Sequence, residues 1–169
     1  MSKIDFVDLS PAHAHPVMEI FNYYIKNSFA AYPEKELPIS YFNEFIKITE
    51  GYPAKALLYN HRVVGFGFLR PYKPFSTFST TAEITYFIDQ NFKGQGLGTQ
   101  ILALLEDEGR KMGIKTVLAS IVSLNTESLM FHQNKGFKQV GVLTGIGYKM
   151  DKAFDIIWMK KKISASNHT

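Results

Sequence analysis

One strand-to-helix junction in this chain reads Phe87-Ile88-Asp89-Gln90-Asn91-Phe92-Lys93-Gly94-Gln95-Gly96-Leu97-Gly98. Its glycines let backbone N–H groups approach a phosphate without a Cβ in the way. The N-terminus of the following helix adds a positive field that favours an anion, and Lys93 can add a formal charge. The junction therefore predicts a site for a phosphate-bearing ligand, and a glycine-rich turn without a ligand is the alternative on these residues alone.

Two common nucleotide sites match this glycine pattern poorly. A Walker loop requires Gly-Lys-Ser/Thr at its end, whereas Gly98 here precedes Thr99-Gln100. A dinucleotide-binding turn has the spacing G-x-G-x-x-G and an acidic residue about 20 positions on, at the end of the next strand. The glycines here are 94, 96 and 98, and the next apolar run, residues 117–122, contains no acid. A nucleotide-binding module is therefore disfavoured.

The spacing of apolar residues predicts the elements on either side of this junction. Helical spacing is found in residues 16–25, 41–50, 97–112 and 126–135, and β-prone runs are found in residues 54–59, 63–69, 79–88, 117–122, 137–142 and 155–160. The run 117–122 is typical of a central strand that is buried on both faces. The order of these elements predicts an α/β fold in which helices flank a mixed central sheet.

Single residues mark where several of these elements begin and end. Ser40 and Asn125 are expected to be the N-caps of the second and fourth helices. Gly113 and Gly136 are expected just past the ends of the third and fourth helices, where a left-handed residue is common. The tripeptide Asn60-His61-Arg62 predicts a hairpin turn between the first two strands.

The composition limits the class of protein. The chain has 169 residues and no cysteine, which predicts one domain over residues 1–163 and a flexible tail over residues 164–169, and excludes disulfides, thiolate metal sites and cysteine nucleophiles. The histidines show no metal-ligand spacing, so no metal is expected. The net charge of +4 is scattered, with no nucleic-acid-binding motif and no apolar run long enough to span a membrane. We therefore expect a soluble cytoplasmic protein.

The glycine junction also resembles a family signature. Lys93-x-x-Gly96-x-Gly98 is similar to the Arg/Gln-x-x-Gly-x-Gly/Ala motif of the GNAT-superfamily acyltransferases, which stands between the fourth strand and the third helix of that fold. The segment from Asn125 to His132, followed by Lys135-Gly136-Phe137, resembles the Asn-x-x-Ser/Ala helix and Gly-Phe exit of the same family. The resemblance implies the GNAT fold, acetyl-coenzyme A as co-substrate and an amine as the acceptor of the acetyl group.

More narrowly, the chain resembles the phosphinothricin/methionine-sulfoximine N-acetyltransferase group from about residue 4 to residue 163. The segments that carry this similarity are Ile20-Phe21-Asn22-Tyr23-Tyr24-Ile25, Ser28, Tyr32-Pro33-Glu34, Arg70-Pro71-Tyr72-Lys73-Pro74, Gly145-Ile146-Gly147-Tyr148-Lys149 and Asp155-Ile156-Ile157. The resemblance implies a small amino-acid-like acceptor of the phosphinothricin or methionine sulfoximine/sulfone type. It also implies a homodimer.

The same resemblance implies a set of coenzyme contacts. The backbone of the catalytic strand would pair with the pantetheine amides as an added strand does, and a backbone N–H near Phe87 would polarise the thioester carbonyl. The residues expected to contact the coenzyme are Tyr86, Phe87, Ile88, Lys93, Gly94, Gln95, Gly96, Leu97, Gly98, Thr99, Asn125 and Ser128. For Asn125, the cap alone would account for the residue type.

Two side chains are candidates for proton transfer. Glu83 is the sole carboxylate of its predicted strand, and the subgroup has a glutamate in this place, so Glu83 is the candidate general base. An exposed carboxylate in a cross-strand pair is the alternative. His132 stands where many family members carry the tyrosine that protonates the leaving thiolate, and it is the candidate acid. A helix histidine that packs or caps is the alternative, and a Ser128–His132 hydrolase is disfavoured because no third group is evident.

The segment that should meet the acceptor differs from the subgroup. Arginine and tryptophan are typical there, whereas this chain has Phe75-Ser76-Thr77-Phe78-Ser79-Thr80. Loss of guanidinium groups weakens recognition of a phosphinate or carboxylate, so phosphinothricin itself is disfavoured. The expected substrate contacts are Tyr32, Lys73, Phe75 and Thr77. A non-catalytic acyl-coenzyme-A-binding sensor is the competing class, and such a module would not need the Glu83/His132 pair.

Overall fold

Seven strands form one sheet in the computed structural model, which describes residues 3–164. The strands are β1 (Ile4–Asp8), β2 (Ala54–Tyr59), β3 (Arg62–Pro71), β4 (Thr81–Ile88), β5 (Thr116–Val122), β6 (Lys138–Lys149) and β7 (Lys152–Lys162), in the spatial order β1-β2-β3-β4-β5-β7-β6. The helices are α1 (Ala14–Asn27), α2 (Phe42–Ile48), α3 (Leu97–Lys111) and α4 (Thr126–Asn134). The β4–β5 pair is parallel and the other pairs are antiparallel, so the predicted α/β fold with a mixed sheet is confirmed.

Several local predictions are confirmed. Asn60 and His61 have φ of 48° and 67° and form the two-residue turn between β2 and β3. The Asn125 side chain accepts a hydrogen bond from the backbone N–H of Ser128, which is the predicted N-cap. Gly113 and Gly136 have φ of 96° and 92°, as expected for residues that follow a helix.

The sequence-based prediction missed one element and was wrong about two other features. β1 is a short edge strand with two acidic residues, and no apolar periodicity marked it. Ser40 is not an N-cap, because it lies within the 3₁₀ turn Ile39–Tyr41 and α2 begins only at Phe42. β6 and β7 are much longer than predicted and form a hairpin through Met150 and Asp151, both with positive φ. Gly141, Gly145 and Gly147 interrupt the apolar pattern of β6. The predicted tail, 164–169, lies outside the described residues except for Ser164.

The helices cover both faces of the sheet. α1 and α2 pack with β3 around an aromatic cluster that includes Phe21, Phe45, Phe66 and Phe68. On the other face, apolar residues of α3 pack against β3, β4 and β5. A Cβ at Gly67 of β3 would lie 2.7 Å from the Cβ of Tyr86, so glycine at this position allows Tyr86 of β4 to lie close against its neighbouring strand.

The central strands part at Glu83. The parallel pairing joins Thr81, Ala82 and Glu83 of β4 to residues 116–118 of β5, yet β4 continues to Ile88 and β5 to Val122. Within the described residues, the edge of β4 that faces β5 therefore has no strand partner beyond Glu83. This divergence opens a cleft in the middle of the sheet, and the glycine junction follows directly at the end of β4.

Candidate active site

A cleft of about 1000 Å³ occupies the gap between β4 and β5. Its walls come from both strands, the glycine junction, the start of α4 and the connection between α1 and α2. The predicted site residues that line it are Tyr32, Glu83, Tyr86, Phe87, Ile88, Lys93, Gly94, Gly96, Leu97, Gly98, Thr99, Asn125, Ser128 and His132. The structure thus brings most of the predicted coenzyme and catalytic residues to one space, which is large enough for a cofactor-sized ligand.

Four of the predicted residues do not line this cleft. Gln95 is exposed and does not line it, and Lys73, Phe75 and Thr77 are exposed on the segment between β3 and β4, where they line neither this cleft nor the second cavity described below. The Lys73 ammonium lies 5.4 Å from the centre of the Tyr72 ring. Within residues 3–164 of one chain, these four residues therefore lie apart from the predicted site residues that line the cleft. Their contacts with a ligand stay predictions.

The glycine junction has the geometry of an anion site. Gly94 and Gly96 have φ of 76° and 77°, and a Cβ built at either glycine meets no atom within 4 Å. Gly96 is the N-cap of α3, and its carbonyl accepts the N–H of Gln100 at 3.1 Å. The N–H groups of the first turn have no intrahelical acceptor, and here they lie at a wall of the cleft. The residues present therefore suit a phosphate.

Lys93 is engaged by an acid in this structure. Its Nζ lies 3.0 Å from Oε1 of Glu127 on α4, and both side chains are largely exposed. An exposed ion pair of this kind contributes little to stability and exchanges readily for another anion. Lys93 can therefore turn from Glu127 to a phosphate at the adjacent junction.

Glu83 lies at the point where β4 and β5 part, and it is 9% exposed. Arg70, its cross-strand neighbour on β3, donates from Nη2 to Oε1 of Glu83 at 2.9 Å. The Ser120 hydroxyl of β5 donates to the same oxygen at 3.4 Å. Within residues 3–164, Oε2 of Glu83 makes no hydrogen bond, so one oxygen is held and the other is available to a ligand.

His132 is held at both ring nitrogens and is 5% exposed. Its Nδ1 lies 2.7 Å from the carbonyl oxygen of Ser128, an acceptor, so Nδ1 carries the hydrogen. Its Nε2 lies 2.8 Å from the Tyr86 hydroxyl and therefore accepts that hydrogen. Burial lowers the pKa of His132 and raises the pKa of Tyr86, so both groups are neutral near pH 7.

The carbonyl at the end of β4 is already engaged. Tyr24 of α1 donates its hydroxyl hydrogen to the backbone oxygen of Ile88, and burial raises the pKa of Tyr24 to about 12. This bond fastens the end of the divergent strand to the helix layer. Of the three strand residues expected to meet the coenzyme, Ile88 therefore offers its amide but not a free carbonyl.

A second, more open cavity of about 440 Å³ lies on the other side of Glu83. It shares four lining residues with the cleft, namely Tyr32, Arg70, Glu83 and Ser120. The Tyr32 hydroxyl lies 2.7 Å from the Ser120 hydroxyl, so these four side chains form a connected boundary between the two spaces. The remaining lining residues come from the β6–β7 hairpin: Leu143, Ile146, Gly147, Phe154, Ile156 and Trp158.

Sequence reasoning missed Ser120 and Lys149. Ser120 is the one polar residue in the apolar run 117–122, and this exception could have identified it as a candidate site residue. Lys149 is 3% exposed, and its Nζ donates at 2.7 Å to the carbonyl oxygens of both Ser28 and Ala31. It thereby ties the hairpin to the segment that carries Tyr32, and only its occurrence in a matched motif could have drawn attention to it.

Across residues 3–164, no group of three or more His, Asp or Glu side chains is arranged to hold a metal ion. No helix in that part of the chain is long and apolar enough to cross a membrane.

Known proteins are similar to this chain in sequence. The family model described as Acetyltransferase (GNAT) family matches residues 17–137. An L-amino acid N-acyltransferase of Escherichia coli (strain K12) is 26% identical over 151 residues, covering 87% of each chain. An L-methionine sulfoximine/L-methionine sulfone acetyltransferase of Salmonella typhimurium is 25% identical over 162 residues, covering 95% of this chain and 94% of that relative.

A solved structure shows the same fold. The phosphinothricin acetyltransferase from Sinorhizobium meliloti, in complex with acetyl-coenzyme A, has a TM-score of 0.90 at 21% identity and covers 98% of this chain and 91% of that one.

Proposed function

The chain belongs to the acetyltransferase (GNAT) family, and from that premise we propose that it transfers the acetyl group of acetyl-coenzyme A to the amine of a small amino-acid-like molecule. The names of the two relatives, which state an L-amino acid and methionine sulfoximine or sulfone, support this class of acceptor. The observation that carries the proposal is Glu83, a buried carboxylate with one free oxygen on the boundary between the cleft and the second cavity.

The cleft offers matching groups for the coenzyme. The first-turn N–H groups of α3 and the open glycine backbone would hold the pyrophosphate, with Lys93 released from Glu127. The unpaired edge of β4 would bind the pantetheine amides as an added strand does. Asn125 and Ser128 line the same cleft at the start of α4 and are proposed as further contacts.

The coenzyme supplies an acetyl thioester, and the protein must manage protons around it. Oε2 of Glu83 takes a proton from the acceptor's ammonium group, which frees the nitrogen lone pair. The nitrogen bonds to the thioester carbonyl carbon, and the carbonyl oxygen becomes an oxyanion that a backbone N–H near Phe87 stabilises. The carbonyl forms again as the carbon–sulfur bond breaks and the thiolate leaves. The nitrogen sheds a second proton, which the thiolate gains, and Glu83 returns the first proton to solvent.

His132 is proposed to carry that second proton. As a neutral imidazole its one N–H donates to Ser128, so it has no free proton to give. Its Nε2 already accepts the Tyr86 hydroxyl hydrogen, so the proton would pass through that hydroxyl: the Tyr86 oxygen takes the proton that the nitrogen sheds, its own hydrogen moves to Nε2, and both shifts reverse when the thiolate is protonated. His132 would thus act first as a base and only then as an acid, because burial keeps its ring neutral.

A coupled assay tests the proposal against a coenzyme-binding sensor. Acetyl-coenzyme A is incubated with L-amino acids, methionine sulfone, methionine sulfoximine and phosphinothricin, and thiol release is followed. We expect release with at least one of these amines, and Glu83→Gln should lower kcat about 100-fold or more. Tight coenzyme binding without release for any amine would favour the sensor.

Glu106→Gln is the matched control for Glu83→Gln. Glu106 is also a buried carboxylate in an ion pair, 2.7 Å from Lys161, but it lies on α3 and lines neither cavity. Its replacement should leave kcat near the wild-type value. Equal rates for wild type and Glu83→Gln would contradict the role of Glu83 as base.

We also propose a cytoplasmic homodimer. Apolar side chains are exposed along the β6–β7 hairpin, and they include Val140, Val142, Leu143, Ile146, Tyr148 and Met150. An exposed apolar surface of this kind is typical of an interface. Sedimentation velocity across a range of protein concentrations tests the dimer, and a monomer throughout would contradict it. A cysteine-free sequence is compatible with a reducing compartment, and cell fractionation tests the location.

A further inference from the structure

The second cavity presents two opposite charges side by side at its boundary with the cleft. The guanidinium of Arg70 and the carboxylate of Glu83 are 2.9 Å apart, and both residues line both spaces. An α-amino acid carries the complementary arrangement, because its ammonium and carboxylate groups are attached to one carbon. Such a head group can place its ammonium at Glu83 and its carboxylate at Arg70 in a single pose.

Arg70 keeps N–H groups that a ligand can reach. Its side chain is 37% exposed, and its Nη2 donates to Oε1 of Glu83. Its Nε is buried and, among the described residues, makes no hydrogen bond, so the outer N–H groups of the guanidinium are the ones open to a ligand. A ligand carboxylate can accept from these groups while Nη2 stays on Oε1 of Glu83. The free oxygen of Glu83 then faces the ligand's nitrogen.

Apart from the hydroxyls of Tyr32 and Ser120, the rest of the cavity is apolar. Leu143, Ile146, Phe154, Ile156 and Trp158 line it, and among the described residues Arg70 and Glu83 are its only charged side chains. A volume of about 440 Å³ accommodates a branched or aromatic side chain together with the head group. The Tyr32 and Ser120 hydroxyls bond to each other at 2.7 Å, so a polar side chain would lose hydration there and find few free partners.

We propose that the second cavity is the acceptor subsite and that it selects α-amino acids with apolar side chains. The inference rests on the proposed function, since it places the acceptor amine beside the base. Arg70 binds the carboxylate of the amino acid, and Oε2 of Glu83 receives the proton of its ammonium group. The residues of the β6–β7 hairpin contact its side chain. The acetyl group arrives from the cleft, on the other side of the same boundary.

Trp158 provides a direct test that does not depend on turnover. It is the sole tryptophan of the chain and lines this cavity, so its fluorescence reports on a ligand there. The full-length protein is titrated with L-leucine, L-serine and isoamylamine, which is leucine without its carboxylate. We expect saturable change with L-leucine, about tenfold or more weaker binding of L-serine, and about tenfold or more weaker binding of isoamylamine.

Two variants of the β6–β7 hairpin distinguish an effect of the cavity lining from an effect of the exposed hairpin surface. Ile146→Ser changes a residue that lines the cavity, and Val140→Ser makes a similar apolar-to-hydroxyl change on the same strand away from it. Both side chains are more than half exposed, at 57% and 54%, so both variants should fold. Ile146→Ser should reduce the preference for L-leucine over L-serine about threefold or more, and Val140→Ser should leave it unchanged.

The fluorescence titration and the thiol-release assay together distinguish failure of this inference from failure of the proposed function. Acetylation of amines with no preference for apolar amino acids and no fluorescence response would overturn the subsite and leave the activity intact. A selective response to L-leucine without thiol release for any amine would support the subsite and overturn the activity. An equal response to L-serine and L-leucine, or an unchanged preference in Ile146→Ser, would overturn the apolar selection.

Discussion

The hydroxyl of Tyr86 lies 2.8 Å from Nε2 of His132, and this hydrogen bond joins the end of β4 to the last turn of α4. The two rings also pack against each other, with centres 5.7 Å apart. Because the other ring nitrogen of His132 donates to Ser128, the tautomer is fixed from both sides. The proposed proton carrier is thus oriented by a residue that the sequence offered only as a backbone contact.

Tyr86→Phe should destabilise the protein because it leaves Nε2 of His132 buried without a donor. An unsatisfied buried acceptor costs about 1–3 kcal/mol. Urea unfolding should show a loss of that size in the free energy of unfolding. Tyr148→Phe is the control, since the Tyr148 ring is exposed and its hydroxyl bonds Asp151 only at 3.4 Å. Equal stability of the two variants would argue against the His132–Tyr86 bond.

Stability should fall on acidification through the titration of His132. Burial lowers its pKa in the folded protein below the ordinary value of 6.5. Below pH 6.5 the unfolded chain binds a proton that the folded chain resists, so this stabilising contribution is full above that pH and is lost as pH falls towards the folded pKa. The slope for one group is at most about 1.4 kcal/mol per pH unit.

Comparison of wild type with His132→Gln between pH 5 and pH 8 isolates this effect. The difference in the free energy of unfolding should be constant at the alkaline end and shift in favour of the variant at the acidic end. Parallel curves across the whole range would show that His132 titrates alike in both states.

Lys149→Met should loosen the segment that carries Tyr32. The Lys149 ammonium donates to the carbonyl oxygens of Ser28 and Ala31, and burial lowers its pKa. Methionine keeps the apolar stem but leaves both carbonyls without this donor, so we expect a loss of about 1–3 kcal/mol in stability. The KM for coenzyme should rise severalfold because residues 28–33 line the cleft.

Lys152→Met is the matched control for Lys149→Met. Lys152 pairs with Lys149 across the same hairpin turn, but its side chain is exposed. The control should therefore change stability by no more than a few tenths of a kcal/mol. Similar losses in both variants would assign the effect to the hairpin and not to the buried ammonium.

Gly96→Ala and Gly51→Ala separate backbone strain from ligand binding. The two glycines have φ of 77° and 78°, and a Cβ at either position meets no atom within 4 Å. Each substitution should cost about 1–2 kcal/mol through the left-handed conformation alone. Only Gly96→Ala should weaken coenzyme binding in calorimetry, by about tenfold, because its Cβ stands where a phosphate approaches the backbone. Equal affinity of both variants would place the pyrophosphate elsewhere.

The local features of the site could be predicted because they are decided within a few residues along the chain. A positive φ at Gly94 or Gly96 depends on the absence of a Cβ, and the Asn125 cap is a bond to the backbone three residues on. The edge strand β1 and the long β6–β7 hairpin could not be predicted in the same way. Their residues are ordered by partners distant in sequence, which override a weak or interrupted local pattern.

The amino-acid sequence alone predicted the order of the elements that follow β1, the glycine junction at the start of α3, and Glu83 and His132 on elements near it. What those two side chains touch depends on the tertiary structure. The register of β3 on β4 puts Arg70 beside Glu83, the parting of β4 and β5 leaves one oxygen of Glu83 free, and the packing of α4 brings His132 to Tyr86. These relationships join residues 13 to 46 positions apart, and no local preference sets them. They follow from which faces the strands and helices bury against one another.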